Sequence, residues 1–355
     1  WFYEMFSEAG NPGNPDNLVP SPDVTMHTAP DFHQRLSSIL DNISNVNTTA
    51  NVAWAASRGH AKSALLSNSN PVRELCYRKR NLILLVSESQ AGSMKFVKWC
   101  ANQLQFNEKL REHYGPLLHQ EVARNIKLSQ DQFITTEGQM LNSGSLGKQI
   151  RGIRNGSFRP DMIILDDLES KESNNTHELR VKNLEWFNME MYPARDVTRC
   201  ATVFMGTIVH PESLLQTILD QRTDFIRKKF PAIIDWPKRM DLWDKFCDIF
   251  KNYEPSEEEM AAFENATEVT EAPNEKMAMN FYREHKSDMD EGAKVLWPAR
   301  FPLHKLFMEK VSIGSRAFGT EFQNSALDPE SMMFKPDNFL YHSPTMEFPH
   351  SEFKI

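Results

Sequence analysis

The chain has 355 residues, of which 40% are hydrophobic and 25% are charged, and its net charge is −8. This length is sufficient for one large α/β domain or two smaller domains with a buried core. The longest apolar runs have only the length of a strand, so the sequence predicts no membrane-spanning segment. The acidic balance disfavours stable coating of nucleic acid, although it permits transient contacts through a few basic residues.

Two features of the sequence bear on the compartment in which the protein works. No charged and apolar leader opens the sequence, so we expect no secretion signal. The cysteines are far apart in the chain and form no Cys-x-x-Cys pair: Cys76, Cys100, Cys200 and Cys247. We interpret them as buried, reduced thiols of an intracellular protein rather than as a disulfide framework or a zinc site.

The predicted elements begin after an N-terminal arm. Residues 1–30 are rich in Asn, Pro, Asp and Ser, and we expect them to be loosely ordered. Residues 31–42 place Phe32, Leu36 and Leu40 on one side, as in a short amphipathic helix. Apolar runs farther along the chain predict strands at residues 51–57, 81–87, 162–167 and 201–207.

The order of these elements predicts the fold class. Residues 94–113 have the apolar spacing of a helix, between two of the predicted strands. Alternation of strands and helices is typical of an α/β domain with a mostly parallel central sheet and helices on both faces. Residues 254–275 contain eight glutamates and no Lys or Arg. We expect this stretch, near residues 250–276, to be a solvated and mobile acidic loop.

The segment from Ala56 to Ser63 has several features of a phosphate-binding loop. It follows a predicted strand, contains Gly59, and ends in Lys62-Ser63 before a helix-compatible sequence. In such loops the backbone N–H groups and the Lys bind phosphates, and the hydroxyl binds Mg²⁺. Alanines replace both glycines of the G-x-x-x-x-G-K-[ST] pattern, so Gly59 or a different backbone path must make the turn. Taken alone, a glycine-containing turn before an amphipathic helix explains the segment equally well.

A second Gly-Lys pair occurs downstream at Gly147-Lys148. Gln149 stands where the hydroxyl residue is needed, and no strong predicted strand precedes the pair. We therefore do not assign phosphate binding to this segment.

The acidic end of the run 162–167 predicts the other half of a nucleotide site. Asp166 is expected to hold the metal through its water shell, because it follows a buried apolar strand. Asp167 or Glu169 is expected to orient and deprotonate the attacking water. A strand that ends in a solvated acidic turn is the alternative, and it becomes less attractive once the segment is paired with Lys62.

Together these segments resemble the motor domain of large terminase subunits from tailed bacteriophages. The resemblance spans approximately residues 30–329. Its matching segments are Arg58 beside Gly59, residues 151–154 (RGIR), residues 159–161 (RPD) before the acidic strand, residues 204–207 (FMGT), residues 296–301 (LWPARF), residues 322–324 (FQN) and Asp328-Pro329.

The resemblance implies a P-loop ATPase of the ASCE type over residues 31–330, with a small lid or linker subdomain. It implies ATP and Mg²⁺ as cofactors, and a homo-oligomeric ring that drives double-stranded DNA into a procapsid in the host cytoplasm. The implied protein partners are the portal protein and the small terminase subunit. Residues 331–355 would then lead toward a nuclease domain that this chain does not contain.

The resemblance also suggests which residues form the site. The nucleotide is expected to contact Arg58, Gly59, His60, Ala61, Lys62, Ser63 and Thr207, and Ser63 and Asp166 are expected to hold the metal. His60 is expected to contribute its backbone rather than an acid or base, and Phe32 and His33 are expected near the adenine. Gly206-Thr207 would sense the γ-phosphate.

An arginine is expected to stabilise the charge that develops on the γ-phosphate. Arg58 is the candidate within its own subunit, and Arg151 or Arg154 is the candidate across a subunit interface. Ordinary surface placement or contact with DNA phosphates explains these last two arginines equally well. Two other functions stay open: a different P-loop translocase or helicase, and a non-hydrolytic scaffold that binds the virion or portal.

Overall fold

The computed structural model describes residues 1–21, 23–267 and 270–325. The predicted linker at 331–355 and the Asp328-Pro329 pair lie outside the described residues. Within the described chain, no helix combines the length and the apolar character that a membrane crossing requires.

The centre of the fold is an eight-stranded sheet with the order β3-β4-β5-β2-β6-β7-β1-β8. Its strands are β1 (Asn51–Ala56), β2 (Leu82–Ser87), β3 (Lys127–Leu128), β4 (Gln132–Ile134), β5 (Met140–Ser145), β6 (Met162–Asp166), β7 (Ala201–Gly206) and β8 (Phe225–Phe230). Along this order, every pairing from β5 through β2, β6, β7 and β1 to β8 is parallel. The pairings of β3 with β4 and of β4 with β5, at one edge of this sheet, are antiparallel. The prediction of an α/β fold with a mostly parallel sheet is confirmed.

Helices flank this sheet, and those after residue 239 form a smaller C-terminal layer. They are α1 (Phe2–Phe6), α2 (Asp31–Asn45), α3 (Asn70–Cys76), α4 (Gln90–Phe106), α5 (Glu108–Tyr114), α6 (His177–Trp186), α7 (Tyr192–Ala194), α8 (Leu214–Gln221), α9 (Met240–Asn252), α10 (Glu257–Glu264), α11 (Pro273–Met289), α12 (Leu303–Ile313) and α13 (Ser315–Gln323). A π-helical stretch at Ala64–Ser69 leads into α3, and a second small sheet pairs β9 (Ile233–Asp235) with β10 (Lys294–Val295). The single helix predicted over residues 94–113 is divided at Asn107, whose side chain caps α5 by accepting from the Leu110 N–H.

The continuous apolar runs form strands because both faces of the sheet are covered. In β1, Val52 and Trp54 enter the core on one face, and Ala53 and Ala55 enter the core on the other. Side chains alternate along a strand, so a strand buried on both faces needs an apolar residue at every position. A third apolar cluster joins α9, α11, α12 and α13, where the rings of Trp243 and Phe307 stack 4.1 Å apart.

The N-terminal segment is more ordered than the sequence predicted. Met5 and Phe6 of α1 are fully buried in the main core, which is the apolar cluster on the face of the sheet that contains Val52 and Trp54. The Phe6 ring lies 5.1 Å from the Trp99 ring of α4. The expectation of a loosely ordered arm was wrong for these residues, because the aromatic start of the chain buries apolar surface that outweighs the polar composition behind it.

The acidic stretch is also more regular than expected. Ser256 and Glu259 form a capping box at the start of α10, and Pro273 begins α11. Glutamates in a first helical turn are stabilised by the positive end of the helix dipole, so a run of acidic residues does not prevent a helix here. The expected mobile loop is therefore replaced by helix over much of its length.

Arg80 ties together the loops at the amino ends of the strands. Its guanidinium is buried beside the equally buried carboxylate of Glu74, at 3.3 Å. It donates to the backbone carbonyls of Ile43, Thr48, Asp161 and Arg199. These carbonyls belong to the end of α2 and to the segments that precede β1, β6 and β7, so one side chain fixes several strand starts.

We expect Arg80→Met to lower the free energy of unfolding by about 3–5 kcal/mol, because it leaves four backbone carbonyls without their donor and leaves the buried Glu74 carboxylate with only its 3.5 Å contact to Arg73. The matched control is Arg35→Met, which removes an exposed ion pair with Asp31 and is expected to change stability by less than about 0.5 kcal/mol. Urea denaturation of both variants tests this. A loss below about 1 kcal/mol for Arg80→Met would contradict the role assigned to this side chain.

Candidate functional site

The predicted site residues that follow β1, β6 and β7 meet at the carboxyl edge of the parallel sheet. Strand β7 lies between β1 and β6 and pairs in parallel with both. The segments that follow these three strands therefore leave the sheet side by side. The backbone of Asp167 is tied to this edge, because its N–H donates to the Met205 carbonyl at 3.0 Å.

The loop after β1 has an alternating backbone. Gly59 and Ala61 have positive φ angles of 76° and 55°, and His60 between them is on the negative side. Alternation of this kind points successive N–H groups into one concavity, which binds anions. The N–H groups of Gly59, His60 and Ala61 donate to no other residue that the structure describes. The loop thus keeps the form of an anion-binding nest although alanine stands at a position that favours glycine.

Aromatic residues from the C-terminal layer support the loop from behind. The His60 ring is fully buried and stacks on Phe301 with 4.9 Å between ring centroids, and its Nδ1 donates to the Arg58 carbonyl. Burial lowers the pKa of His60 to about 4, so the ring is neutral near pH 7. A Cβ atom at Gly59 would lie only 2.8 Å from the Phe301 ring, which explains the glycine. The segment 296–301, singled out by its sequence, is therefore part of the loop's support.

Lys62 and Asp167 form an ion pair across the site. The Lys62 side chain is 6% exposed, and its Nζ lies 3.2 Å from Oδ1 of Asp167, whose side chain is 51% exposed. Asp167 has a positive φ of 41°, which turns the chain sharply at the end of β6. The structure thus joins the two halves of the site that the sequence predicted separately.

Asp166 lies deeper than Asp167. Its Oδ2 accepts from the Ser67 hydroxyl at 2.6 Å, and its buried Oδ1 has no hydrogen-bond partner among the described residues. Burial and the neighbouring charge of Asp167 raise the pKa of Asp166 to about 6, against the opposing effects of Ser67, Ser63 and Lys62. Ser67 was not predicted, since a serine inside the helix that follows the loop carries no distinct sequence signal.

This arrangement fits Mg²⁺ that is held together with a phosphate. The unpartnered Oδ1 of Asp166 would hold the ion through its water shell. The Ser63 hydroxyl, which is near enough to lower the pKa of Asp166, would supply an oxygen. Among the described residues, no cluster of three or more His, Cys, Asp and Glu side chains forms a metal cage. Mg²⁺ typically takes only one or two carboxylates and completes its shell with phosphate oxygens and water.

Glu169 is held by the start of α8. Both of its carboxylate oxygens accept backbone N–H groups at the start of α8, from Leu214 at 2.8 Å and from Leu215 at 2.9 Å. Burial raises the pKa of Glu169, and these two donors oppose the rise. Its two oxygens are occupied in capping the helix, so Asp167 is the carboxylate that faces the Lys62 side of the site.

The end of β7 lies directly beside Asp167. A Cβ atom built at Gly206 would lie 3.5 Å from Oδ1 of Asp167, at van der Waals contact, so the two strand ends are close neighbours. Thr207 follows Gly206 at the same edge and is half-buried. The predicted sensor segment is thus adjacent to Asp167, one of the two candidate bases.

Arg58 is on the loop but is held by the C-terminal layer. Its side chain is 71% exposed and pairs with Glu321 of α13 at 3.2 Å, and its backbone N–H donates to the Glu321 carbonyl. Glu321 also lies 4.0 Å from Lys171 in the segment after β6. Sequence reasoning missed Glu321, because nothing local connects a residue of α13 with the loop.

Arg151 and Arg154 belong to a different part of the surface. With Arg159 they line an open cleft of about 290 Å³, and Arg151 lies 3.8 Å from Glu190. The next residue after Arg154, Asn155, donates to the carbonyls of Asn81 and Gly138, just before β2 and before β5 at the amino edge. Arg154 is therefore at the opposite edge of the sheet from Lys62 of its own subunit.

Phe32 is not available to a nucleotide. It is buried in the main core, where its ring lies 5.0 Å from the Phe230 ring. The expectation that Phe32 lies near the adenine was wrong, because the apolar face of α2 packs on the sheet. His33 is buried behind the loop and contacts it directly.

No protein-family model matches the chain, and no curated protein matches it. Among solved structures, the chain is similar to the large terminase of bacteriophage HK97, with 14% sequence identity and a TM-score of 0.32. The matched region covers 74% of this chain and 50% of that protein.

The two positive-φ positions lead to opposite expectations for stability. Ala61→Gly should raise the free energy of unfolding by roughly 0.5–1 kcal/mol. Glycine removes the strain of the left-handed conformation, but it also increases the conformational entropy of the unfolded chain, which offsets part of the stabilisation. Gly59→Ala should lower it by about 2 kcal/mol, since it adds both strain and a contact with Phe301.

The matched control for Gly59→Ala is Gly147→Ala, which has a φ of 73° and nothing within 4 Å of the added Cβ. We expect this control to lose only the backbone part, about 1 kcal/mol. Urea unfolding of the three variants measures the differences. Equal losses at Gly59 and Gly147 would show that Phe301 does not restrict the loop.

Proposed function

We propose that this chain is the ATPase motor of a viral DNA-packaging machine, which hydrolyses ATP and drives double-stranded DNA into a procapsid. The observation that carries the ATPase part is the contact between Lys62, on an anion-binding nest, and Asp167 at the end of the neighbouring acidic strand. The packaging part rests on the ordered resemblance of the sequence motifs to large terminase subunits.

The residues around that contact have distinct roles in this mechanism. The nest and the Lys62 ammonium bind the phosphates. The Ser63 hydroxyl would bind Mg²⁺, and the free Oδ1 of Asp166 would hold the ion through its water shell. When bound, the metal ion neutralises charge on the phosphates. Asp167 orients the attacking water and takes its proton once Lys62 has moved onto the phosphates. The insertion of β7 between the strands of the two motifs supports the ASCE assignment.

Glu169 has a supporting role in this mechanism. By capping α8 it fixes the segment after β6, and it thereby holds Asp167 beside Gly206. Gly206-Thr207 is the segment that responds to the γ-phosphate, because it adjoins the base.

Arginines stabilise the charge that develops during phosphoryl transfer. Arg58 must leave Glu321 to reach a bound nucleotide of its own subunit. Arg154 lies at the far edge of its own sheet and Arg151 lines the same cleft. We therefore propose that one of them acts in the site of a neighbour in a homo-oligomeric ring. This ring would work in the host cytoplasm with the portal protein and the small terminase subunit.

A non-hydrolytic nucleotide-binding scaffold is the second candidate. It is favoured by the strained Ala61 in the loop, and by the half-exposed aspartate at the position where many ATPases carry glutamate. Binding of ATP without turnover would support this candidate.

Steady-state ATP hydrolysis with and without double-stranded DNA tests the proposal. We expect turnover that rises with DNA. It should fall on the order of a thousandfold in Lys62→Ala, because the ammonium that neutralises the phosphates is removed. The matched control is Lys148→Ala, which removes an exposed lysine from the other Gly-Lys pair and should leave turnover unchanged. Nucleotide binding without hydrolysis, even at concentrations that allow ring assembly, would refute the motor.

The two candidate bases are separated by Asp167→Asn and Glu169→Gln. Asp167→Asn should reduce kcat at least a hundredfold, because it removes the proton acceptor. It should also lower stability by about 1 kcal/mol, because the buried Lys62 loses its ion pair with a half-exposed carboxylate. Glu169→Gln should lower stability by about 1–2 kcal/mol, since an amide accepts poorly from both N–H donors on α8. Rates of the variants below their unfolding temperatures, with melting curves beside them, provide the measurement. A hundredfold loss confined to Glu169→Gln would reverse the assignment.

A further inference from the structure

We propose that His33 is a positioning residue of the phosphate site, which holds the peptide between His60 and Ala61 so that the Ala61 N–H faces the phosphates. This inference rests on the proposed nucleotide function and assigns a new residue to the same site. It is carried by the hydrogen bonds on both sides of the His33 ring and by the geometry of the peptide that the ring contacts.

The hydrogen bonds determine the tautomer of His33. Its Nε2 lies 2.9 Å from the His60 carbonyl, and its Nδ1 lies 3.2 Å from the Tyr3 hydroxyl. A carbonyl oxygen only accepts, so Nε2 carries the hydrogen and donates it. In the neutral ring Nδ1 is then an acceptor, and the Tyr3 hydroxyl donates to it.

Both groups are neutral over the working range of pH. Burial lowers the pKa of His33, and burial raises the pKa of Tyr3 to about 12. The Tyr3 hydroxyl therefore donates to His33, and His33 donates to the His60 carbonyl, throughout this range of pH.

The peptide geometry connects His33 with the phosphates. The chain has no cis peptide bond among its described residues, and in a trans peptide the C=O and the following N–H point in opposite directions. The His60 carbonyl points inward to the buried His33, so the Ala61 N–H points outward to the open side of the nest. That N–H donates to no other described residue, and a phosphate oxygen on the open side would accept from it.

The surroundings keep His33 in place. It belongs to the first turn of α2, and its ring meets the Trp297 ring edge to face at 4.7 Å. Trp297 also lies beside His60, with 6.2 Å between ring centroids. Without the His33 donor, the buried carbonyl of His60 would lose its partner, and a flipped peptide would turn the Ala61 N–H away from the phosphates.

Calorimetric titration with Mg²⁺·ATP and, separately, with inorganic pyrophosphate tests the inference. We expect His33→Phe to weaken both ligands about tenfold, because one oriented donor to the phosphates is lost. His33→Gln, which can still donate from its amide to the His60 carbonyl, should bind within threefold of the wild-type protein. At saturating ATP the kcat of His33→Phe should stay within threefold, so that the change appears in KM.

Ile43→Val controls for mild destabilisation of α2, because it thins the core of the same helix at a distance from the loop. This variant should bind both ligands as the wild-type protein does. A second readout needs no ligand: ¹⁵N NMR should show protonated Nε2 and unprotonated Nδ1 for His33, and a shifted Ala61 amide signal in His33→Phe.

The outcomes separate the two proposals. If the wild-type protein binds nucleotide and His33→Phe binds it equally well, the positioning role is refuted and the proposed function stands. If His33→Gln is as weak as His33→Phe, the ring shape rather than the donor matters, and the inference is overturned. If the wild-type protein binds neither ATP nor pyrophosphate, the proposed function fails and this inference fails with it.

Discussion

The candidate site depends on one contact, the ion pair between Lys62 and Asp167 at the carboxyl edge of the sheet. Strand β7 makes this contact possible, because it pairs with both β1 and β6 and sets their ends side by side. Gly206 at the end of β7 lies directly beside Asp167, within van der Waals contact of a Cβ atom built on it. A bound phosphate can displace the carboxylate and take its place beside the lysine ammonium, because both groups are anions that accept charge-assisted hydrogen bonds.

The loop shows how an anion-binding backbone can be kept without the usual glycines. Ala61 adopts a left-handed conformation that alanine disfavours by about 1–2 kcal/mol. Contacts from distant parts of the chain compensate for this strain: the Phe301 ring behind Gly59, the Ser57 hydroxyl bonds to neighbouring segments, and the His33 bond to the His60 carbonyl. The C-terminal layer therefore shapes the loop as much as the loop's own sequence does.

The sequence was sufficient to predict β1, β2, β6 and β7, because strands buried on both faces require continuous apolar runs. It missed the other four strands of the sheet, including β5, which ends just before Gly147, because these strands are short or contain polar residues and glycine. It was insufficient for contacts between distant segments. Glu321 meets Arg58 across a separation of 263 residues, and Ser67 meets Asp166 across 99 residues. It also left two candidate bases, since only the folded chain places α8 where it occupies both oxygens of Glu169.

The most direct test of the account is an experimental structure of the protein with Mg²⁺ and a non-hydrolysable ATP analogue. The account predicts that the phosphates lie in the nest, that the Lys62 ammonium has left Asp167 for the β- and γ-phosphates, and that Ser63 and Asp166 face the metal ion. A nucleotide bound elsewhere on the chain, with the contact between Lys62 and Asp167 intact, would contradict it.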